Sequence, residues 1–588
     1  MLDKTEAPLS SLAAVPMRVM WDVAIPMDDG IELRANVFLP ERDGAYPVVM
    51  CMTGYAKDLP FAQGYADAWR AVVAAAPSAG ERTSAKYISF EAPDPEKWVV
   101  HDYAMVIMDS RGVGRLPGIQ DTFSAREGRD FATAIDWVGE QEWCDGNVGT
   151  LGMSYLGVVQ WLAASQQPRH LRGMIPWEAP DDHLRALAYN GGIPSSFPRY
   201  LGTAQVRSVQ HGLGSRGPRN EFTGQLVCGD KDLSDEELDA NVNDLYEQVM
   251  QHPLDDGFYE GRRADWDKVT VPLLSVTTWG SIGSHVRGNL EGFMNAASKE
   301  KWLVTRESHG TFGALYSDDG VALQRRFFDH VLKGTGDFAA TQPRIELAIR
   351  GADDQTVERR TEKEWPLART QWTKLYLDPA APALTPASPG PETSATYRAS
   401  GRGITLLTEP LETQTEITGP LAAKLWVSAD TTDADLFVTV RVFDAYGQEK
   451  LFHGLPDPRI PASQGWLRAS QRELDEQRSL PYRPFLSHKN HRPLIPGQVY
   501  ELDIEVWPTC VVIPAGYRIG LTIGGRDFEH DAEPFFWSKP PGLIFRGSSM
   551  WLHDDERFRP RDLYDNYVTI YGGDDRSSYL LLPKIETA

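Results

Sequence analysis

The chain of 588 residues has few cysteines, no long apolar segment and no excess of basic residues. Its four cysteines, Cys51, Cys144, Cys228 and Cys510, are scattered and form no CxxC pair, so neither a disulfide framework nor a zinc site is indicated. No apolar run approaches the roughly 18 residues of a membrane span, and the N-terminus lacks the pattern of a signal peptide. The formal net charge of −23 argues against nucleic acid and membrane partners, since phosphate binding needs clustered Lys and Arg. The sequence therefore predicts a cytoplasmic globular protein.

The first half of the chain alternates short apolar strands with helices, which predicts a mostly parallel sheet covered on both faces. Strands are predicted at residues 31–39, 46–52, 103–108, 148–153, 171–177, 273–277 and 301–305. The interruption at residues 183–265 carries helical patterns, including one at 235–251 that Ser234 and Glu237 begin as a capping box. An insertion of this kind indicates a helical cap over a pocket.

Near residue 345 the hydrophobic pattern changes to period two, with many short strands separated by Pro, Gly and Asp turns. Such strands without intervening helices indicate a β-sandwich. The predicted organisation is an α/β domain at 1–182 and 266–340, a cap at 183–265 and an all-β domain at 341–588.

The most informative local feature is a serine between two glycines, in the run Gly152-Met153-Ser154-Tyr155-Leu156-Gly157. An apolar strand precedes this serine and an apolar helix follows it, which is the order of an α/β-hydrolase nucleophile elbow. Ser154 is therefore the predicted nucleophile.

A serine nucleophile needs a base, and in this fold the histidine follows the last sheet strand. His309 comes just after the strand predicted at 301–305 and is the predicted base. His285 is the close competitor, but it precedes that strand.

The oxyanion of an acyl-transfer intermediate needs hydrogen-bond donors. The backbone N–H of Tyr155 is expected to supply one, because this residue follows the nucleophile. The loop after strand 46–52 should supply the second, and the phenol of Tyr55 lies there. From the residues alone, a packed aromatic side chain at a strand end is the more common role for Tyr55.

Several separated motifs resemble the cocaine esterase and X-prolyl dipeptidyl-peptidase group of serine hydrolases. They include Gly54-Tyr55-Ala56-Lys57, Asp109-Ser110-Arg111-Gly112-Val113-Gly114, the serine elbow and a run from Phe327 to Gly334. The resemblance implies an α/β-hydrolase with a cap and a C-terminal jelly roll of the galactose-binding-like type. It also implies Ser154 as nucleophile, His309 as base, and Tyr55 with the Tyr155 amide as oxyanion hole.

The acid of the triad has no counterpart at the position that this family uses. Family members have an aspartate shortly after the strand that precedes the one leading to the catalytic histidine. Here that stretch runs from Thr278 to His285 and offers no carboxylate before Glu291. We expect Glu178, at the C-terminal edge of strand 171–177, to supply the acid instead. Capping the start of the cap segment is an equally plausible role for Glu178, and Ser281 or water could orient the imidazole if no acid does.

The leading hypothesis is a serine hydrolase that cleaves a small ester or amide through an acyl-enzyme on Ser154. One alternative is an X-prolyl dipeptidyl-peptidase or an α-amino-acid ester hydrolase, and another is a non-catalytic binding protein with a degenerate triad. Trp279 is a candidate for the substrate pocket. The sequence predicts no metal and no organic cofactor, and it leaves homo-oligomerisation open.

Overall fold

The computed structural model describes residues 15–307, 311–455, 457–531, 534–536, 544–548 and 550–586. Within these residues the chain forms two large sheets, one of ten strands and one of twelve. None of the helices in these ranges is both long enough and apolar enough to cross a membrane.

The first sheet supplies the frame of the site. Its strands are β1 (Met17–Pro26), β2 (Glu32–Pro40), β3 (Tyr46–Thr53), β4 (Ala104–Asp109), β5 (Cys144–Met153) and β6 (Leu171–Trp177), then, after a hairpin of β7 (Tyr189–Asn190) and β8 (Ile193–Pro194), β9 (Leu273–Thr278), β10 (Lys301–Arg306), β11 (Ile345–Arg350) and β12 (Thr356–Glu362). The strand order is β1-β2-β4-β3-β5-β6-β9-β10-β11-β12, and the pairs from β4 to β11 are parallel. Strands β3, β4 and β9 are buried along their whole length, which explains their continuous apolar sequence.

Helices connect the strands of this region. They are α1 (Phe61–Gly64), α2 (Ala66–Ala75), α3 (Pro95–Trp98), α4 (Ala125–Gly139), α5 (Tyr155–Ala164), α6 (Phe197–Tyr200), α7 (Asp235–Ala240), α8 (Leu245–Gln251), α9 (Gly257–Glu260), α10 (Val286–Asn295), α11 (Thr311–Tyr316), α12 (Asp318–Val331) and α13 (Phe338–Thr341). Helix α4 begins where the Ser124 side chain accepts the N–H of Glu127, and it buries Phe131, Ile135 and Val138. Every residue of α5 is buried, in agreement with its apolar sequence on all sides.

The segment between β6 and β9 is built of short pieces. Its capping box at Ser234 and Glu237 is present, but the single helix predicted at 235–251 is two helices, α7 and α8. The chain turns between them, and the Asp244 side chain accepts the N–H groups of Tyr246 and Glu247 to begin the second. Two short π-helical segments, His183–Ala188 and Leu201–Val206, complete this region.

The boundary that the sequence predicted at residue 340 differs from the sheet order. Strand β11 pairs in parallel with β10, and β12 pairs with β11, so the first sheet continues to Glu362. The period-two pattern near 345 was correctly interpreted as strand but was assigned to the wrong sheet, because such a pattern suits the edge of either one.

The C-terminal domain is a jelly roll, as predicted. Its strands are β13 (Thr370–Asp378), β14 (Ala383–Thr385), β15 (Thr393–Arg398), β16 (Ile404–Leu407), β17 (Thr415–Ala429), β18 (Asp435–Phe443), β19 (Glu449–Lys450), β20 (Ser463–Arg468), β21 (Tyr500–Ile513), β22 (Arg518–Gly524), β23 (Phe535–Phe536), β24 (Ile544–Phe545), β25 (Tyr567–Gly572) and β26 (Tyr579–Ile585), with one short helix, α14 (Arg561–Tyr564). The long strands β17 and β21 pair antiparallel at its centre, and β26 also pairs with β17.

The two domains meet through both backbone and charged contacts. The turn of the β7–β8 hairpin abuts β20, where the N–H of Arg468 donates to the Gly191 carbonyl at 2.8 Å. Nearer the first sheet, the Nε of Arg287 in α10 donates to Glu505 of β21 at 2.8 Å, and both side chains are largely buried. The jelly roll therefore contacts both the β7–β8 hairpin and α10.

Gly191→Ala is expected to destabilise this interface. A Cβ at this position would lie 1.8 Å from the Trp466 carbonyl oxygen, and the residue has a φ of +58°. We expect a loss of about 2–4 kcal/mol from overlap and backbone strain together. Gly334→Ala is the matched control, because Gly334 has a φ of +62° but no atom within 4 Å of the position that a Cβ would take. Thermal unfolding should show a clearly larger drop in Tm for Gly191→Ala; equal drops would contradict the predicted overlap.

Candidate active site

Ser154 stands at a sharp turn between β5 and α5. Its φ of +53° and ψ of −112° are strained for a non-glycine residue, and its N–H donates to the Trp177 carbonyl at 3.0 Å. The flanking glycines are required by close packing, since a Cβ on Gly152 would lie 2.4 Å from Leu156 and one on Gly157 would lie 2.6 Å from Ala179. This is the geometry of a nucleophile elbow.

The imidazole in contact with this serine belongs to His285. The distance from Ser154 Oγ to His285 Nε2 is 3.0 Å, within hydrogen-bond reach. His285 lies in the turn after β9, immediately before α10, and its N–H donates to the Ser281 carbonyl at 3.0 Å. His309, the base expected from chain order, lies outside the described residues, and its role stays a prediction.

Glu178 reaches the other side of the same imidazole. Its Oε2 lies 3.7 Å from His285 Nδ1 and accepts hydrogen bonds from Ser281 Oγ at 2.7 Å and Thr277 Oγ1 at 3.2 Å. The residue follows β6 directly with a φ of +47°, and its N–H donates to the Val276 carbonyl at 2.8 Å. The carboxyl group expected at this edge of the sheet therefore lies beside a histidine and a serine, although the histidine is His285.

Burial sets the protonation of both partners. It lowers the pKa of His285 to about 3, so the imidazole is neutral at pH 7 and can accept a proton. Burial raises the pKa of Glu178 to about 7, against hydrogen bonds from Ser281, Thr278 and Thr277 that lower it. Neither His285 Nδ1 nor Glu178 Oε1 has a hydrogen-bond partner among the described residues, so a small approach would join the two side chains.

Tyr55 and Tyr155 are the two residues predicted to form the oxyanion hole beside Ser154. Their rings lie 5.4 Å apart and both are buried. The Tyr155 hydroxyl donates to Glu127 of α4, which fixes the ring and leaves its backbone N–H beside Ser154. Burial raises the pKa of Tyr55 well above its usual range, so its phenol remains a hydrogen-bond donor.

Two known domain families match this chain in sequence. Residues 29–311 match the X-Pro dipeptidyl-peptidase family (S15), and residues 337–542 match the X-Pro dipeptidyl-peptidase C-terminal non-catalytic domain. The chain belongs to the X-Pro dipeptidyl-peptidase-like CocE/NonD family of hydrolases. The resemblance of the separated sequence motifs is thereby confirmed.

Relatives within this family carry both esterase and peptidase names. The chain is 26% identical to a cocaine esterase from Rhodococcus sp. (strain MB1 Bresler), over 87% of this chain and 91% of that protein. It is 22% identical to a putative Xaa-Pro dipeptidyl-peptidase from Bacillus anthracis, over 74% and 71% of the two chains. The crystal structure of a CocE/NonD family hydrolase from Staphylococcus aureus is 28% identical, with a TM-score of 0.81, and the match covers 97% of this chain and 94% of the other.

Trp279, the predicted residue of the substrate pocket, lies just after β9 and is packed against neighbouring elements. The side chain is 1% exposed, and its indole N–H donates to the Ala348 carbonyl of β11 at 2.8 Å. Its ring lies 5.8 Å from that of Trp365. These contacts tie the end of β9 to β11, and the role of Trp279 in substrate binding stays a prediction.

Glu91, which no sequence pattern marks, also lies beside Ser154. Its carboxyl group interacts with the Tyr55 hydroxyl, the Tyr155 N–H and the Ser154 hydroxyl, and the residue is only 4% exposed. The segment at 58–100 carries no motif that marks this position, and only the folded chain brings it to Ser154. His285 was recognisable as a candidate, but chain order favoured His309.

Proposed function

We propose that this protein is a serine esterase that cleaves small carboxylic esters through an acyl-enzyme on Ser154. The observation that carries the proposal is the contact of the Ser154 hydroxyl with the neutral imidazole of His285, at 3.0 Å. A hydroxyl in contact with a neutral imidazole that also faces a carboxyl group is the arrangement that activates serine in acyl transfer. The esterase name of a relative that aligns over most of the chain adds support.

The reaction follows from the positions of these groups. Ser154 Oγ attacks the ester carbonyl carbon while its proton passes to His285 Nε2. The negative charge on the carbonyl oxygen is stabilised by the Tyr155 N–H and the Tyr55 hydroxyl. His285 then gives the proton to the departing alkoxide, which leaves as the alcohol. Water, deprotonated by the same imidazole, attacks the acyl-serine and releases the carboxylic acid and free Ser154.

Ionised Glu178 stabilises the imidazolium of His285, which forms each time this histidine accepts a proton. Its partner nitrogen, Nδ1, is on the side of the ring opposite the serine, so the carboxylate also selects the tautomer that leaves Nε2 free. In this proposal the acid follows β6 and the base follows β9. In the order of the first sheet, each is one strand before the position that the family resemblance implies, which is after β9 for the acid and after β10 for the base.

The pH dependence of catalysis tests the role of Glu178. The active form needs ionised Glu178, whose pKa is about 7, so kcat/KM for p-nitrophenyl acetate should fall as pH drops through 7. Glu178→Gln should lower kcat/KM at pH 8 by about 10²–10⁴-fold. It should also abolish the fall of kcat/KM below pH 7, which is the acidic limb of the pH profile. A Gln variant within about threefold of the wild type would remove Glu178 from the mechanism.

Ser281→Ala gives a milder test of the same assignment. The Ser281 hydroxyl donates to Glu178 at 2.7 Å and lowers its pKa, so its loss should raise that pKa. We expect the acidic limb of the kcat/KM profile to move to higher pH in this variant, while the plateau above it changes little. A profile with an unmoved limb would mean that another group titrates there.

A dipeptidyl-peptidase activity is the second candidate, because the buried carboxyl group of Glu91 lies next to the nucleophile and a free α-amino group requires such a partner. The discriminating measurement compares kcat/KM for p-nitrophenyl acetate with that for alanyl-proline p-nitroanilide. Faster cleavage of the anilide would reverse the order of the two candidates.

A further inference from the structure

The backbone around Glu91 is locked to the nucleophile strand. The Glu91 carbonyl accepts the N–H of Met153, the residue before Ser154, at 3.2 Å. Glu91 has a φ of +64°, a conformation that costs energy for any residue with a side chain. The surrounding structure therefore holds the residue in a strained position directly beside the elbow.

The carboxyl group of Glu91 lies close to the donors of the site. Its polar neighbours are the Tyr55 hydroxyl, the Tyr155 N–H and the Ser154 hydroxyl. These are the two groups assigned to the oxyanion and the nucleophile itself. Glu91 Oε2 is buried without a hydrogen-bond partner in the described part of the chain, so the carboxyl is not fully satisfied by this arrangement.

The walls around this carboxyl are aromatic. The ring of Phe90 stacks on that of Tyr65 at 3.8 Å and contacts those of Tyr55 at 5.2 Å and Phe61 at 5.1 Å. Among the residues that the structure describes, no Lys, Arg or His forms an ion pair with Glu91, and burial raises its pKa well above the usual range. Burial without a cationic partner favours the protonated, neutral form of this carboxyl group.

A neutral carboxylic acid has the same planar O=C–O arrangement as an ester. We propose that the carboxyl group of Glu91 occupies the oxyanion site of the resting protein as an internal substitute for the ester, and that a substrate must displace it before Ser154 is acylated. This inference rests on the proposed function, since it uses the same donors. It makes Glu91 a residue that controls access and selects for acyl groups able to compete with it.

A substrate can bind only to those molecules in which the Glu91 carboxyl has left the oxyanion site. The apparent affinity for substrate is therefore reduced in proportion to the fraction of such molecules. Removing the carboxyl should therefore raise reactivity, whereas the loss of a merely structural group would lower it. Glu91→Gly is the informative variant because glycine accepts a φ of +64° without strain, so its Tm should stay at or above that of the wild type. Glu91→Gln keeps the size of the occupant, and Glu81→Ala removes an exposed carboxyl from the same segment as a control.

We expect Glu91→Gly to hydrolyse p-nitrophenyl acetate with a kcat/KM at least about tenfold higher than the wild type, and Glu91→Gln to stay below Glu91→Gly because it keeps an occupant in the site. The control Glu81→Ala should stay within about threefold of the wild type. Labelling by a fluorophosphonate, in which Ser154 Oγ binds phosphorus and fluoride leaves, should accelerate in parallel. Acetate, which replaces the lost carboxymethyl group, should inhibit Glu91→Gly and leave the wild type unaffected. A folded Glu91→Gly that reacts no faster than the wild type would overturn the inference.

A measurement without catalysis separates this inference from the proposed function. In the Ser154→Ala background, acetate at 0.1 M scale should raise the Tm of the variant that also carries Glu91→Gly and leave that of Ser154→Ala alone unchanged, since a ligand stabilises only the protein that binds it. Acetate stabilisation without esterase activity in any Ser154-containing form would support the occupied site and reject the esterase. Esterase activity without stabilisation by acetate would support the esterase and reject the occupied oxyanion site.

Discussion

His285→Ala is expected to lower kcat/KM for p-nitrophenyl acetate by at least about 10³-fold at pH 8. The imidazole of His285 is the proposed base in contact with Ser154, at 3.0 Å, and its removal takes away the group that accepts the serine proton in the proposed reaction. His309→Ala, made in parallel, should cost less than about tenfold, since its expected place at the serine is taken by His285. Steady-state kinetics on the two variants decides between the bases.

His183→Ala is the matched control for this comparison. His183 is as buried as His285, and burial likewise lowers its pKa to about 3, but both its ring nitrogens lack partners among the described residues. Its loss should change kcat/KM by less than about fivefold while costing a similar amount of packing. If His309→Ala is the variant that loses activity and His285→Ala retains it, the base follows β10 and chain order was the better guide.

Replacement of Ser154 is expected to have the second large effect. It should abolish most of the activity, while replacement by glycine should make the protein more stable than replacement by alanine. Ser154→Ala and Ser154→Gly should both lose at least about 10³-fold in kcat/KM and the burst of p-nitrophenol, because neither can form the acyl-enzyme. Glycine should nevertheless give the more stable protein, since the φ of +53° strains any residue that has a Cβ.

The expected difference between the two variants is about 1 kcal/mol in favour of Ser154→Gly, the reverse of the usual order of these residues in ordered structure. Thermal unfolding of the pair measures it directly, and both variants lack the hydroxyl, so its hydrogen bond with His285 cancels. A Ser154→Ala protein with the higher Tm would show that the elbow stores no strain.

Much of the fold could be predicted from the sequence because its strands are buried on both faces. The runs at 46–52, 171–177 and 273–277 have no competing helical period, and the observed strands end within about a residue of them. The pattern near residue 345 was harder, since an edge strand of the first sheet and a strand of the jelly roll have the same alternation. Only the pairing of β11 with β10 assigns it.

The site was predictable where a local motif fixes the backbone and was not where tertiary contacts decide. Ser154 follows from the turn that its flanking glycines permit. Glu178 followed from the general position of reactive side chains at the carboxyl edge of a sheet. His285 depends on which of two loops reaches the serine, and Glu91 on the folding of a long loop back to the elbow, so neither spacing nor composition identifies them.

The ion pair of Arg287 and Glu505 changes how the two domains should be regarded. Helix α10 begins directly after His285, and two residues later Arg287 ties it to β21 of the jelly roll. The position of the His285 imidazole therefore depends on contacts in both domains. An exchange of the jelly roll between family members would have to carry this acidic partner along, and an isolated N-terminal domain would keep its nucleophile while losing an anchor of its base. The two domains are separate in architecture, but both contribute to the arrangement of the proposed active site.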